Sequence, residues 1–518
     1  MNETSDRHWN RAQRYLAEGQ HDTARVVLES YATHNPEHAQ AHLLLSMLAW
    51  NAGDVRAATK HALDAAHAAP DDTMFLGQTA GALLQVGEVV AARACLDRPA
   101  LAQTRHIPAL LQAAGVHYSL NENAAALALF DRARTAGADG AEFRFQRGMQ
   151  LAFNGRMDEA DAELRACLQQ NPAHGRAALE LARLSKQTLE NNHLADLDAQ
   201  LARVQPGSYD HAAVEFARYK ELEDLGRYSE AWQALVHGNA LMYARHQHDA
   251  DYTTRLFERL VEICTPQLLR PESAVHPGAQ PIFILGMPRS GTTLLDRILG
   301  NHSAVASAGE LDTFALQLRW CADHSVTLDE IVLDRLPGLD FAELGRRYLA
   351  QSQWRSAGKP FFTDKLPRNW MLAGPIARAL PQARILHMVR DPVDVCFSNY
   401  RVLFADAFAH VYNLDALVSH YRAYRRTMAH WHAAMPGRIL DVPYRDLVHD
   451  PEGTVRGVLD FCGLDWETGL TDTTRNRAAV DTLSMAQVRE PVHTRFIDSW
   501  QRYKNQLEPL ARALAQPD

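Results

Sequence analysis

The sequence lacks every cysteine pattern that would build a metal site or a disulfide framework. Its six cysteines are spread over 518 residues, with no C-x-x-C pair and no clustered histidine partner. We therefore expect buried thiols in a reducing compartment. The 25 histidines are equally scattered, so most of them are expected in the core or at the surface rather than at a metal.

Long apolar runs and an excess of positive charge are also missing. No segment approaches the roughly 20 apolar residues of a membrane helix, and residues 1–13 lack the basic-then-apolar pattern of a secretion signal. The formal net charge of −9 argues against a general nucleic-acid binder. These absences predict a cytoplasmic protein with no membrane span and no nucleic-acid partner.

The first half of the chain repeats itself with a period of 34 residues. One register consists of Gly19, Gly53, Gly87, Asn121 and Gly155. A second register, five residues later, consists of Ala24, Ala58, Ala92, Ala126 and Ala160. Pro36, Pro70 and Pro172 fall in the same period, at points where proline would end a helix. Gly226 and Ala231 keep the five-residue offset but not the period, which indicates one degenerate unit.

This double register resembles the tetratricopeptide repeat, in which the glycine or asparagine lies at the turn between paired helices and the alanine allows them to pack closely. The resemblance implies an α-solenoid, with regular repeats over residues 5–185 and a degenerate unit over 210–262, in a helical domain spanning 1–265. It also implies a protein or peptide partner in the concave groove. The alternative is a solenoid that buttresses the second domain or forms a homodimer.

The second half has the pattern of an α/β domain. Residues 265–281 are rich in proline and break the helical periodicity, so a domain boundary is expected there and a second domain over 280–518. Short apolar runs then alternate with helical segments, and the runs predicted as strands are 282–285, 361–363, 383–389 and 438–442. The alternation predicts a parallel sheet covered by helices.

The motif PRSGTT follows the first of these strands. Gly286 and Gly291 bracket a tight turn that aims backbone N–H groups and a helix N-terminus at one anion. The spacing is that of the Walker loop, except that Thr292 stands where its lysine belongs and Arg289 supplies a cation within the loop. Nucleotide triphosphate hydrolysis with magnesium is therefore disfavoured. The glycine spacing alone is equally compatible with an ordinary strand–turn–helix.

A second motif, RDPVDVCFS, follows the strand at 383–389. Arg390 at the strand end and Ser398 in the next helix are suited to hold a second phosphate group. Two other interpretations of this motif stay open. Arg390 and Asp391 could form a structural ion pair, or Asp391 could be a metal ligand of the Walker B type.

Together the two motifs resemble the sulfotransferase superfamily, and within it most closely the tyrosylprotein sulfotransferases and their bacterial relatives with tetratricopeptide repeats. Five ordered blocks carry the resemblance: PRSGTTLLDRILGNHSAVASAGE, TDKLPRNW, HMVRDPVDVCFSNY, VPYRDLVHDPE and SMAQVREPV. The resemblance implies a P-loop-like sheet and the sulfuryl donor 3′-phosphoadenosine 5′-phosphosulfate.

The resemblance also assigns roles to the matching residues. The residues implied at the 5′-phosphosulfate are Arg289, Ser290, Gly291, Thr292 and Thr293, and those at the 3′-phosphate are Arg390 and Ser398. Tyr444 matches a nucleotide contact, and Gln487, Val488 and Arg489 match the loop that closes over the donor. Glu310 matches the catalytic base, while Lys365 and Ser484 match residues that stabilise the transition state.

Sulfuryl transfer explains why such residue types are needed. By analogy with phosphoryl transfer, charge moves onto the sulfuryl oxygens and the leaving oxygen, where Arg289 and Lys365 would stabilise it. Because two cationic side chains are available, the electrostatics require no metal, and we expect none. The chain departs from the family at Ser499, where a basic residue usually precedes the tryptophan; Arg495 and Arg401 are the candidates to replace it.

The leading interpretation is an enzyme that sulfates a hydroxyl group, first of all a tyrosine of a protein or peptide held by the solenoid. The alternatives are an O-sulfotransferase for a small molecule or glycan, a kinase-like phosphotransferase, and a noncatalytic scaffold with a degenerate enzyme domain. The missing loop lysine counts against the kinase. The presence of all four of Arg289, Lys365, Arg390 and Glu310 counts against the scaffold.

Overall fold

The computed structural model describes residues 3–246, 248–271, 276–476 and 492–516. Within these ranges the chain folds into an all-helical half followed by a half built on a parallel sheet, as the sequence predicts. All six cysteines are buried and none is in a disulfide.

Paired helices make up the first half. Their bounds are α1 (Glu3–Ala17), α2 (His21–His34), α3 (Ala39–Asn51), α4 (Val55–His67), α5 (Thr73–Gln85), α6 (Val89–Leu96), α7 (Pro99–Gln103), α8 (Ile107–Ser119), α9 (Asn123–Thr135), α10 (Ala141–Phe153), α11 (Met157–Gln170), α12 (Gly175–Leu184), α13 (Leu194–Leu201), α14 (Tyr209–Asp224), α15 (Tyr228–Arg245) and α16 (Ala250–Ile263).

The two 34-residue registers have the structural roles that the repeat predicts. The turn between the helices of each pair contains a residue in the left-handed region, with φ between 57° and 85° at the five register positions. In the first turn Gln20 N–H donates to the Tyr15 carbonyl, which satisfies an end group of α1. All five register alanines are fully buried, so each pair of helices packs at the distance that a methyl side chain allows.

The second half alternates strands with helices. The strands are β1 (Gln280–Gly286), β2 (Val305–Ser307), β3 (Phe361–Lys365), β4 (Arg384–Val389) and β5 (Ile439–Pro443). The helices are α17 (Thr292–Gly300), α18 (Thr313–Ala322), α19 (Glu330–Arg335), α20 (Phe341–Ser352), α21 (Ala373–Ala379), α22 (Pro392–Tyr400), α23 (Leu414–Ala434), α24 (Tyr444–His449), α25 (Pro451–Cys462) and α26 (Lys504–Ala515). Short 3₁₀ helices span Leu336–Gly338, Gln353–Ser356, Pro367–Leu372, Ala409–Tyr412, Thr473–Arg475 and Ser499–Tyr503.

All strand pairs in the sheet are parallel, in the order β2-β3-β1-β4-β5. The four predicted strands are confirmed to within two residues at each end. Strand β2 was not predicted because its three residues are too few to show a periodicity. Strand β1 is buried on both faces: Phe283 and Leu285 belong to the apolar cluster on one side, and Ile282 and Ile284 to the cluster on the other.

Successive turns of the solenoid contact the α/β half. Arg56, after the second turn, donates to the carbonyl oxygens of Trp320 and Cys321 at the end of α18. Glu88 follows the third turn and pairs with Arg347 of α20 at 2.5 Å. Asn121 lies in the fourth turn and donates to the carbonyl of Glu310. The edge of the solenoid where its turns lie therefore forms one part of the interface, and the apolar cluster that α12 to α16 share with the α/β half forms another.

Candidate active site

Each strand of the sheet contributes a predicted site residue at or just beyond its carboxyl end. The loop of Arg289 follows β1, Glu310 follows β2, Lys365 ends β3, Arg390 follows β4 and Tyr444 follows β5. Because the strands are parallel, these ends meet at one edge of the sheet. The strand order places them in the sequence Glu310, Lys365, Arg289, Arg390 and Tyr444 across that edge.

The PRSGTT loop and Arg390 lie together because β1 and β4 are neighbours at the point where the strand order reverses. The chain leaves β1 toward β2 and leaves β4 toward β5, on opposite sides, and such switch points open a crevice for ligands. Arg390 Nη1 donates to the Arg289 carbonyl at 3.0 Å. Asn399 of α22 donates to the Pro288 carbonyl at 2.8 Å. The two motifs are thus hydrogen-bonded to each other.

The loop is shaped by backbone angles that few residues adopt. Gly286, Arg289 and Gly291 all have positive φ, at 144°, 67° and 107°. A Cβ at Gly286 would lie 2.6 Å from the Met388 carbonyl oxygen, so the loop and β4 approach more closely than a side chain would allow. Gly291 ends the loop, and the first N–H groups of α17 behind it have no carbonyl partner within the helix.

The PRSGTT loop and Arg390 bring two arginine side chains together at the sheet edge, where they are partly buried. Burial, reinforced by the charges of Arg390 and Arg401, lowers the pKa of Arg289 to about 9. Burial also lowers the pKa of Arg390, although Asp394 opposes that shift. Within the described residues, the Ser290 hydroxyl and Arg390 Nε are buried without a hydrogen-bond partner. Two cations and two unsatisfied polar groups in one crevice fit a doubly anionic ligand.

Arg390 is held in place by neighbours on three sides. Its Nη2 donates to the Phe496 carbonyl at 2.6 Å, its guanidinium lies 4.8 Å from the centre of the Tyr444 ring, and its closest approach to the Asp394 carboxylate is 3.9 Å. Asp391 has a different role, because its carboxylate accepts from the N–H groups of Val393 and Asp394 and caps α22. Ser398 lies half-buried on the same helix.

On the other side of the loop, Glu310 and Lys365 form an ion pair. Lys365 Nζ lies 2.5 Å from Glu310 Oε1, and the lysine side chain is almost fully buried while the glutamate is partly exposed. Asp296 of α17 accepts from the Thr363 hydroxyl at 2.5 Å and from the Ser307 hydroxyl at 2.8 Å. This carboxylate ties the helix behind the loop to β3 and β2, the strands that carry the pair.

Arg401 and Arg495, the two candidates for the basic residue expected at position 499, have different surroundings. Arg401 is paired with Glu223 of the solenoid helix α14, and that carboxylate raises the pKa of Arg401 against the effect of burial. Arg495 lies over the ring of Phe496, the residue whose carbonyl accepts from Arg390. The predicted residues Ser484, Gln487, Val488 and Arg489 lie outside the described residues.

Three residues that shape the site were not predicted. Asp296 interrupts the apolar face of α17, and a carboxylate at such a position signals a buried polar contact. Asn399 gave no signal, because its role depends on the neighbouring loop. Asn121 did give a sequence signal: it is the single exception in the glycine register.

Three groups of histidine and carboxylate side chains in the described residues lie close enough to share a metal ion, and none includes a predicted site residue.

Comparison with known protein families gives a match within each half of the chain. Residues 281–468 match the family described as "Sulfotransferase family", and residues 15–77 match the family described as "Tetratricopeptide repeat". The sulfotransferase domain of the olefin synthase of Synechococcus PCC 7002 is 22% identical, with a TM-score of 0.33, over 48% of this chain and 99% of that one. No helix in the described part of the chain is long and apolar enough to cross a membrane.

Curated relatives match parts of the chain. An uncharacterized protein of Aquifex aeolicus (strain VF5) is 31% identical over 314 residues, which are 58% of this chain and 41% of that protein. A putative protein-tyrosine sulfotransferase of Caenorhabditis briggsae is 24% identical over 232 residues, 43% of this chain and 80% of that one. The chain thus spans less than half the length of the Aquifex relative.

Proposed function

We propose that this chain, in which a sulfotransferase family domain is joined to tetratricopeptide repeats, transfers a sulfuryl group from 3′-phosphoadenosine 5′-phosphosulfate to an acceptor hydroxyl. The observation that carries the proposal is the arrangement along one sheet edge: an anion crevice with Arg289 and Arg390, and beside it the Glu310–Lys365 pair. An anion-binding half and a proton-accepting half are what this reaction requires.

The donor carries two anionic ends, and the crevice has two sets of residues for them. The PRSGTT loop, with its positive helix end and Arg289, would hold the 5′-phosphosulfate. Arg390 and Ser398 would hold the 3′-phosphate, and Tyr444 would contact the nucleotide beside them. In the part of the chain that the structure describes, the Ser290 hydroxyl and Arg390 Nε have no hydrogen-bond partner. This supports the assignment, because buried polar groups in native proteins are ordinarily hydrogen-bonded.

Glu310 would act as the base. As the acceptor oxygen attacks sulfur, its proton passes to the Glu310 carboxylate, a new oxygen–sulfur bond forms, and the bond from sulfur to the bridging oxygen breaks. The electron pair of that bond leaves on the phosphate of adenosine 3′,5′-bisphosphate. The ion pair with Lys365 holds this carboxylate at the sheet edge.

Lys365 is suited to a second task. Its strand lies between β2 and β1, so its ammonium group stands between Glu310 and the loop of Arg289. Negative charge grows on the sulfuryl and bridging oxygens as the bond to sulfur breaks. A buried cation on one side and Arg289 on the other would stabilise that charge.

We further propose that the acceptor is a tyrosine of a protein or peptide. Two observations favour it: the name of the Caenorhabditis briggsae relative, and the presence of tetratricopeptide repeats, which suggest protein interaction. The solenoid would then bring the acceptor to the sheet edge. An O-sulfotransferase for a small molecule or glycan is the second candidate, since the Glu310–Lys365 pair would activate any hydroxyl.

The experiment is a transfer assay with the purified full chain, labelled donor, and separate sets of tyrosine peptides, small phenols and glycans. We expect the mass of one SO₃ group to be added to tyrosine peptides. Glu310→Gln should lower kcat by about 10²- to 10⁴-fold, the typical contribution of a general base, and leave the binding of adenosine 3′,5′-bisphosphate unchanged. Glu330→Gln, at an exposed position, is the matched control.

Transfer to glycans or small phenols alone would overturn the tyrosine proposal but not the reaction type. Full turnover by the Glu310 variant would overturn the assignment of the base. If no acceptor were modified and adenosine 3′,5′-bisphosphate did not bind, the enzyme proposal as a whole would be wrong.

A further inference from the structure

Asn121 is the one residue of the turn register that is not glycine, and its backbone has the same left-handed conformation as the four glycines. All five turn residues occupy the left-handed region, and Asn121 does so with φ of 57°. Glycine adopts this conformation without a steric penalty, whereas a residue with a Cβ does not. Asparagine is the non-glycine residue that adopts this conformation most readily, so Asn121 keeps the turn and adds a side-chain donor that glycine lacks.

The contact is with the loop that carries Glu310. Asn121 Nδ2 donates a hydrogen bond to the Glu310 carbonyl oxygen at 2.6 Å. The same amide group lies next to Gly309, at 3.3 Å from the position that a Cβ would occupy there. On the other side, the Gly309 carbonyl accepts from the backbone N–H of Lys365 at 2.9 Å. The main chain at 309–310 is thus held between β3 and the solenoid.

Neighbouring contacts hold this turn of the solenoid against the α/β half. Arg355 Nη2 donates to the Leu120 carbonyl at 2.7 Å. Glu122 pairs with Arg93 at 2.8 Å, and the Arg93 guanidinium lies 3.9 Å from the centre of the Trp354 ring. The Asn121 hydrogen bond is therefore part of a packed interface, so its geometry is well defined.

We propose that Asn121 is a positioning residue for Glu310: a solenoid side chain that fixes the main chain of the base loop in the other half of the molecule. Its role in the reaction rests on the proposed function; its role in bracing residues 309–310 does not. The solenoid is then a structural part of the active site, in addition to any partner it binds.

The first test measures the brace itself. Asn121→Gly keeps the left-handed turn and restores the repeat pattern but removes the amide donor; Asn121→Asp keeps the shape and also removes the donor. By hydrogen–deuterium exchange on the full chain, we expect several-fold faster exchange at 309–312 and at the Lys365 amide in both variants. Gly19→Asn, the reverse change in an equivalent turn with open space around it, should leave those amides unchanged. Unchanged exchange in Asn121→Gly would overturn the brace.

The second test measures the reaction. With the brace removed, we expect kcat to fall on the order of 10-fold, since small displacements of a catalytic group are costly, while KM for the donor and the thermal stability stay the same. In a Glu310→Gln background, Asn121→Gly should lower kcat no further. A further fall would show that Asn121 does not act through Glu310, and an unchanged kcat in the single variant would overturn the positioning role. If Glu310→Gln itself kept full turnover, the proposed function would fail while the exchange data still decided the brace.

Discussion

At the scale of the residue, the anion crevice depends on a close approach between Gly291 and Tyr444. A Cβ at Gly291 would lie 2.5 Å from Tyr444 Cδ2, well inside van der Waals contact. Tyr444 in turn stacks on Arg390. One missing side chain therefore allows the loop, the ring and the second arginine to share the crevice.

We expect Gly291→Ala to weaken the binding of adenosine 3′,5′-bisphosphate by at least 10-fold, because either the loop or the tyrosine must move. Gly358→Ala is the control: that residue also has positive φ, at 83°, but has open space around it and precedes the amino end of β3. Both changes carry a backbone cost of roughly 1–2 kcal/mol. Calorimetric titration should show lost affinity in the first variant only; equal affinity in both would mean that the close approach is unimportant.

At the scale of the element, α23 packs against the rest of the fold through a histidine pair. The His420 ring of α23 stacks on the His410 ring at a centroid distance of 3.6 Å and an angle of 14°. Burial, with the neighbouring His248, lowers the pKa of His420 to about 3, and burial also lowers the pKa of His410 well below its usual range. Both rings are neutral in the folded protein at neutral pH.

The pair predicts a loss of stability in acid. Below pH 6.5 the unfolded chain protonates these histidines while the folded chain does not, so the free energy of unfolding falls as the pH drops from 6.5 toward 3. The slope is up to about 1.4 kcal/mol per pH unit for each histidine. His420→Phe keeps a stacked ring and should reduce the slope measured by urea unfolding of the full chain. An unchanged slope would assign the acid sensitivity to other groups.

At the scale of the whole molecule, the two halves are joined by a polar contact at the solenoid turns and by an apolar cluster that α12 to α16 share with the α/β half. The Arg347–Glu88 pair is largely buried, Gln351 donates to the second Glu88 oxygen at 2.7 Å, and the Arg347 guanidinium lies 3.7 Å from the centre of the Trp320 ring. Removing the arginine would leave a buried carboxylate with its main partner gone.

We expect Arg347→Ala to weaken the association of the halves by about 3–5 kcal/mol, the usual cost of breaking a buried ion pair. Calorimetry should then show a lower midpoint of unfolding for the full chain. The adjacent Arg346→Ala is the matched control, because its pair with Glu343 is exposed and worth no more than about 1 kcal/mol. Equal behaviour of the two variants would show that the interface contributes little.

The local patterns were predictable because their causes are local. The turn register requires left-handed backbone, and the alanine register requires a small side chain at a helix contact, so both are visible as residue types at fixed spacing. The loop of Arg289 is recognisable for the same reason, since its glycines meet backbone demands of the turn itself. Four of the five strands were predicted from their apolar runs, and only the three-residue β2 was too short.

The sequence by itself thus determined an α-solenoid followed by a parallel α/β sheet, and its resemblance to sulfotransferases singled out Glu310 and Lys365 as candidates beside the loop of Arg289. Only the tertiary structure decided which of them meet. Strand order brings Arg390 to the Arg289 loop and Lys365 to Glu310, and packing of the solenoid on the α/β half brings Asn121 to the loop of Glu310. These contacts join residues far apart in the chain, and their geometry depends on strand order and packing, which leave no fixed spacing in the sequence.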